Sequence, residues 1–155
     1  EKKVGYITQT TLSLDDTAEI ITALKERFPE IKGPAKDDIC YATQNRQNAV
    51  KALSKEVDLV LVVGAQNSSN SVRLLEVAKT TGVRARRIES AVELKPEWLE
   101  GVREIGITAG ASAPEDIVQG IVTEIRKMSS SSNVRDLEIV REDVTFALPS
   151  VLRNA

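Results

Sequence analysis

No histidine occurs anywhere in the 155 residues of this chain. Its absence removes the commonest general base, rules out a serine-protease constellation and deprives zinc of its usual nitrogen ligands. Cysteine is almost as scarce. The single Cys40 cannot close an internal disulfide, so nothing calls for an oxidising compartment. Two Phe, two Tyr and one Trp make no stacking platform for bases, and a formal net charge of −2 leaves no basic stripe to follow a phosphate backbone. Nucleic acid is therefore not an expected partner. No apolar run is long enough to cross a bilayer, and the opening Glu-Lys-Lys is not followed by a signal-peptide core. The expectation is a soluble intracellular protein, cytoplasmic and not bound to a membrane. What is present is ordinary globular composition, 41% hydrophobic and 28% charged, in a length that suits one domain with a real core. Phosphate or cofactor chemistry stays open.

The most informative stretch runs from Asp58 to Ser71. Leu59 to Val63 shows no polar alternation, as in a parallel strand covered on both faces. Gly64 breaks it, and a cluster of small hydrogen-bonding residues follows. Val72, Leu75 and Ala78 recur at helical spacing, which places Asn67 to Asn70 at a helix N-terminus with unpaired N–H groups and the positive end of the dipole. An anion is the natural guest there. The arrangement recurs: Val4 to Ile7 runs into Thr8-Gln-Thr-Thr-Leu-Ser13 and a helix, and Ile105 to Ile107 into Thr108-Ala-Gly-Ala-Ser-Ala-Pro114 and another. Two readings stand. Ser, Thr and Asn are the preferred helix caps in any protein; three such loops, richer in hydroxyls and amides than caps require, also suit a phosphate site at the carboxyl ends of parallel strands.

Taken in order, Lys3 to Ile7 reads as a buried strand, an awkward place for a domain to start, which suggests sequence upstream. Ser13-Leu-Asp-Asp16 opens a helix in capping-box style, with Ile20, Ile21, Leu24 and Phe28 as its buried face, Pro29 near its end and Ile31 to Pro34 as a connector. Cys40 lies just before a second helix carrying Val50, Leu53 and Val57. A helix N-terminus favours a thiolate, yet a lone cysteine is also commonly a small buried hydrophobe. Val83 to Ile88 reads as a strand. Arg84, Arg86 and Arg87 form either a basic ligand patch or a solvated set paired with Glu89 and Glu93. Ser90 to Glu100 is a connection with a short helix anchored by Trp98 and Leu99. Pro114 suits the first position of a last helix whose core face is Ile117, Val118, Ile121 and Ile125. Ser129 to Asn133 has linker composition, and the closing segment, with Leu137, Ile139 and Val140 and then Val144 to Leu148, has strand character. The fold class is α/β: a parallel sheet flanked by helices (α/β/α) with right-handed crossovers.

The runs Thr8 to Ser13, Asp37-Asp-Ile-Cys-Tyr-Ala-Thr43, Val62 to Ser71 and Thr108 to Pro114 closely resemble, in order and spacing, the hydroxymethylbutenyl diphosphate reductase (IspH or LytB) family. The resemblance implies an oxidoreductase of isoprenoid biosynthesis, the last enzyme of the methylerythritol phosphate pathway. Such an enzyme reductively removes an allylic hydroxyl to give isopentenyl and dimethylallyl diphosphate. It implies a three-domain cloverleaf with a [4Fe–4S] cluster held by three cysteines, and ferredoxin or flavodoxin as electron donor. By resemblance, Cys40 is an iron–sulfur ligand, and Ser68, Ser69, Asn70 and Ser112 clamp the diphosphate of the allylic substrate. Thr10 is the catalytic threonine near the substrate hydroxyl, with Thr11 and Gln9 as neighbours in substrate binding.

The family's other cysteines, its histidines and its proton-delivering glutamate have no counterpart here, so the resemblance covers a C-terminal part only. On that layout residues 1–36 trail from the middle α/β domain, residues 37–124 form the third, diphosphate-binding domain, and residues 125–155 are a linker and closing segment packing on an absent first domain. The chain alone is then expected to be inactive, to hold no stable cluster and to be prone to self-association. The rival readings are a non-catalytic phosphate- or nucleotide-binding α/β module and a scaffold whose polar loops are only caps.

Overall fold

The computed structural model describes residues 3–34, 38–129 and 133–140. Three parallel strands, β1 (Leu59–Val63), β2 (Arg84–Ile88) and β3 (Ile105–Ala109), form a sheet in the order β2-β1-β3. β1 is central, and all five of its residues are buried. That explains its unbroken apolar run, since a strand with a layer on each face has no side to leave wet. Its alternate side chains divide the core. Leu59, Leu61 and Val63 join Ile88, Leu94, Ile121 and Ile125 on one face; Val60 and Val62 join Val50, Leu74, Val77 and Ala78 on the other. The first face is covered by α5 (Glu115–Met128), and the second by α2 (Tyr41–Leu53) and α3 (Ser69–Thr80). This is the three-layer α/β/α arrangement expected from the strand–loop–helix units.

Close approach at one glycine fixes how α2 lies on the sheet. A Cβ on Gly106 of β3 would stand 2.6 Å from Leu53 Cγ, so only a residue without a side chain lets the end of α2 settle there. Between β2 and β3 a 3-10 turn (Ala91–Glu93) and α4 (Pro96–Leu99) bring Ala91, Trp98 and Leu99 against the core.

Several sequence expectations need correction. Val4 to Ile7 is not a buried strand: Gly5 and Lys32 make an isolated parallel bridge, and Val4 and Ile7 are exposed. One pair of hydrogen bonds, Tyr6 N–H to Lys32 O at 2.9 Å and Lys32 N–H to Val4 O at 3.1 Å, is all that joins them, with no third strand beside them among the described residues. In α1 (Leu14–Arg27), Ile20 and Phe28 are exposed, Ile21 and Leu24 are half-buried, and Thr17 is the buried residue. Its apolar stripe is present, but the described residues cover only the Ile21 and Leu24 side of it. Val57 lies past the end of α2. α3 turns Ser71, Leu74, Val77 and Ala78 inward in place of the Val72, Leu75 and Ala78 face, because Ser71 is drawn under the loops described below. Pro114 is the N-cap of α5 and Ala109 is still in β3. Leu137, Ile139 and Val140 do not lie in a strand, since residues 133–140 pair with no other strand among the described residues. The expectations for Asp37, for the linker serines Ser130 to Ser132 and for the Val144 to Leu148 strand fall outside the described residues.

Candidate functional site

Parallel strands end on one edge, and the loops that leave β1 and β3 there are stitched together. Gly64 N–H donates to Ile88 O at 3.0 Å and Gly110 N–H to Val63 O at 2.8 Å, so the two loops start as neighbours. α2 runs back along the sheet into β1, which puts its own N-terminus, and Cys40 with it, at this same edge. Three helices thus begin on one side of the molecule, the usual ligand side of open α/β sheets.

Ser68 is the N-cap of α3. Its Oγ accepts from Ser71 N–H at 3.3 Å and from the Ser71 hydroxyl at 3.0 Å. Asn70 lies one residue earlier than Ser71, with its Nδ2 buried and without a hydrogen-bond partner among the described residues. That amide faces the β3–α5 loop: a Cβ built on Gly110 would lie 3.6 Å from it. A buried amide of this kind is a donor with its hydrogen-bonding capacity unused by the described residues. Ser69 and Ser112 are exposed, the latter in a turn closed by Ala113 N–H on Gly110 O at 3.0 Å. The structure therefore brings Ser68 and Asn70 up against the loop that carries Ser112.

A second group forms around α2. Thr8 N–H donates to Asp38 Oδ2 at 2.8 Å, tying the Thr8 to Ser13 segment to the residues just before Cys40. Cys40 is exposed at the N-cap of α2, and its thiol is not used to cap the helix, so the buried-hydrophobe reading fails. Gln9 and Thr10 are exposed and Thr11 is half-buried, on a turn closed by Leu12 N–H on Gln9 O at 3.4 Å. Behind them the fully buried Gln47 of α2 accepts from Leu14 N–H at 3.1 Å and donates to Leu12 O at 2.7 Å. Sequence reasoning missed Gln47 altogether.

The arginines resolve into separate roles. Arg87 donates to Gly64 O at 2.8 Å and pairs with Glu89 at 2.7 Å, and Glu89 accepts from Gln66 N–H at 2.9 Å. The Arg87 side chain, then the Gln66 N–H, hold the Glu89 carboxyl below its ordinary range. This bracket braces the start of the β1–α3 loop from the β2 side. Glu93 accepts Glu89 N–H at 3.2 Å, in place of the arginine contact expected for it. Arg86 stacks over Trp98, and with Lys79, Arg84 and Glu97 they border a groove of about 330 Å³.

Whether these residues suit an iron–sulfur cluster turns on thiolates. A cubane takes several, the chain has one cysteine, and no three His, Cys, Asp or Glu side chains converge as a metal site among the described residues. One exposed thiol fits a single ligand position; the chain by itself does not fit the whole group.

Fold and site define a parallel α/β module whose polar loops converge at the carboxyl edge of the sheet, a class suited to binding an anionic ligand. Comparison narrows this. The model of the LytB protein family matches residues 1–126. The chain is 56% identical over 153 residues to the 4-hydroxy-3-methylbut-2-enyl diphosphate reductase of Azoarcus sp. (strain BH72), covering 99% of this chain and 49% of that protein. It is 57% identical to the reductase so named from Acidithiobacillus ferrooxidans, covering 99% of this chain and 48% of that one. Among solved structures, the E-1-hydroxy-2-methyl-but-2-enyl-4-diphosphate reductase from Plasmodium falciparum superposes with a TM-score of 0.78 at 35% identity, over 88% of this chain and 46% of that chain. The chain belongs to the LytB family. It spans about half the length of the curated relatives it matches.

Proposed function

We propose that this chain is the C-terminal, diphosphate-binding part of a reductase that converts hydroxymethylbutenyl diphosphate to isopentenyl and dimethylallyl diphosphate. Residues 1–36 belong to the middle domain, residues 37–124 to the third, and residues 125–155 to a linker and closing segment. Two electrons, from a donor such as ferredoxin or flavodoxin in the cytoplasm, and two protons are taken up: the C–O bond breaks, one proton lets the allylic hydroxyl leave as water, and the other forms the new C–H bond of the product. A [4Fe–4S] cluster is the cofactor of the whole enzyme, Cys40 supplying one of its ligands and the rest of the protein the others. No helix among the described residues is long and apolar enough to cross a membrane.

The observation that carries this reading is the unpartnered, buried Nδ2 of Asn70 at the meeting of the β1–α3 and β3–α5 loops. It is a donor held ready for an acceptor. Ser68, Ser69, Asn70 and Ser112, with the N–H groups of α3, complete a set of donors that neutralises a diphosphate without lysine. Anchored there, the substrate extends its other end toward the Gln9, Thr10 and Thr11 turn, where the Thr10 hydroxyl meets the substrate hydroxyl. Placement of the diphosphate fixes how accurately that end is presented, and small errors are costly.

A hydrogen bond to a charged oxygen contributes about 1.5–3 kcal/mol. In the full-length reductase carrying this chain, Asn70→Ala should lower kcat/KM for the allylic diphosphate roughly ten- to hundredfold. Cluster absorbance should not change. Kinetics equal to the parent enzyme would reduce these loops to caps and sink the proposal.

A further inference from the structure

Beyond the clamp residues themselves, we infer that Ser71 is a positioning residue: it sets the hydroxyl of Ser68 as a donor and locks the two clamp loops together. The inference rests on the diphosphate-binding reading.

Ser71 is 1% exposed, yet it is a serine among the aliphatic residues of the inner face of α3. Both of its donors go to one atom. Its N–H and its O–H reach Ser68 Oγ at 3.3 and 3.0 Å. A hydroxyl has two lone pairs and one proton. On the proposed reading Ser71 is the donor of the hydroxyl pair, which fills both lone pairs of Ser68 and turns the Ser68 proton away from the helix end, the polarity an anion requires. An ordinary cap accepts one N–H and leaves its hydroxyl free to rotate between accepting and donating.

The same side chain is wedged between the clamp loops. A Cβ added to Gly64 would stand 2.1 Å from Ser71 Oγ, and one added to Gly110 would stand 2.2 Å away. Gly64 opens the loop after β1, and Gly110 the loop after β3. Both must lack a side chain for Ser71 to fit, and Asn70 is carried into place beside Gly110 by the adjoining residue. A buried serine touching both loops therefore couples their spacing. Neither contact requires Ser71 to touch the ligand.

The test uses full-length reductase, with Kd for inorganic diphosphate measured by calorimetry and KM for the allylic diphosphate measured beside it. Ser71→Ala should weaken diphosphate and raise KM about two- to tenfold, the loss of one neutral hydrogen bond. A merely structural defect would instead lower the active fraction and leave Kd and KM unchanged. In a Ser68→Ala background the further change Ser71→Ala should weaken diphosphate less than it does in the parent, since the part of its role that runs through Ser68 is already gone; equal effects in both backgrounds would overturn that part. If Asn70→Ala weakens diphosphate and Ser71→Ala does not, the clamp stands and the positioning role is overturned. If neither change alters diphosphate binding, the clamp reading fails and takes this inference with it. Should Ser71→Ala not fold, Ser71→Gly removes the same hydroxyl without crowding Gly64 or Gly110: weaker diphosphate binding supports the role, and parent-like binding overturns it.

Discussion

Gln47→Leu is the substitution that most directly tests how the threonine turn is held. The side chain is fully buried in α2 and spends both ends of its amide on one short segment, Leu14 N–H at 3.1 Å and Leu12 O at 2.7 Å. Leucine fills nearly the same space, so no large cavity opens, and the cost is that of two backbone groups left without partners. At about 1–1.5 kcal/mol for each partly buried group, the loss is roughly 2–3 kcal/mol. The other links between α1 and the body are weaker. Lys51–Asp15 at 2.7 Å and Arg73–Asp16 at 3.3 Å involve aspartates that are 64% and 66% exposed, and exposed pairs of this kind are worth about 0–1 kcal/mol. Gln47 should therefore dominate. Urea unfolding should show a destabilisation of that size, and hydrogen exchange should speed up at Leu14, whose N–H loses its acceptor, while the amides of β1 stay protected. In the full-length enzyme the same variant should impair turnover more than diphosphate affinity, because it frees the Gln9 to Thr11 turn and leaves Ser68 and Asn70 in place. Unchanged exchange at Leu14, or a loss below about 0.5 kcal/mol, would refute the reasoning.

Two further outcomes follow from other contacts. Gly106→Ala drives a Cβ to 2.6 Å from Leu53 Cγ, so α2 must shift; a loss of about 1–3 kcal/mol in urea unfolding is expected, and a neutral result would show that the end of α2 yields freely. Asp58 accepts N–H groups from Arg103 and Glu104 at 2.9 and 3.1 Å, and these hydrogen bonds, in that order, hold its carboxyl below the ordinary range, as the Arg87 side chain does for Glu89. A folded-state pKa below the unfolded value means stability that is present above about pH 4 and is lost as pH falls through the lower folded value. Unfolding midpoints should drop on the acid side, and Asp58→Asn should flatten that slope; a slope equal to the parent's would remove Asp58 from the account.

How much was legible beforehand depended on whether a residue's fate was set locally. β1 could be read because a strand covered on both faces must be apolar throughout, and five buried residues bear this out. The loops after β1 and β3 could be read because glycine and small polar residues follow directly on apolar runs. α1 could not: Ile20, Ile21, Leu24 and Phe28 have the spacing of a buried face, but periodicity does not say what covers it, and Ile20 is 61% exposed. The phase of α3 was missed for the opposite reason. Ser71 lies on the buried side of the helix because Gly64 and Gly110 make room for a hydroxyl, a contact between loops 46 residues apart along the chain. Only the Ser68-x-x-Ser71 spacing, that of a cap and the third helical residue, hinted at it. Gln47 had no sequence signal, since a polar residue on a helix reads as solvent-facing until its backbone partners are known.

The two residue groups at the sheet edge are tied to one another through α2. Its first residue follows Cys40, whose neighbour Asp38 holds Thr8; its middle holds Leu12 and Leu14 through Gln47; and its Val50 shares a core with Leu74 and Val77 of α3, the helix that Ser68 caps. A close-packed interior moves in discrete steps and does not stretch. On the proposed reading, the distance between the diphosphate end and the hydroxyl end of the substrate is thus set by helix packing and not by the loops that touch the ligand. The loops can then be built almost entirely of small polar residues, because their task is to donate hydrogen bonds from positions that α2, α3 and the sheet have already fixed.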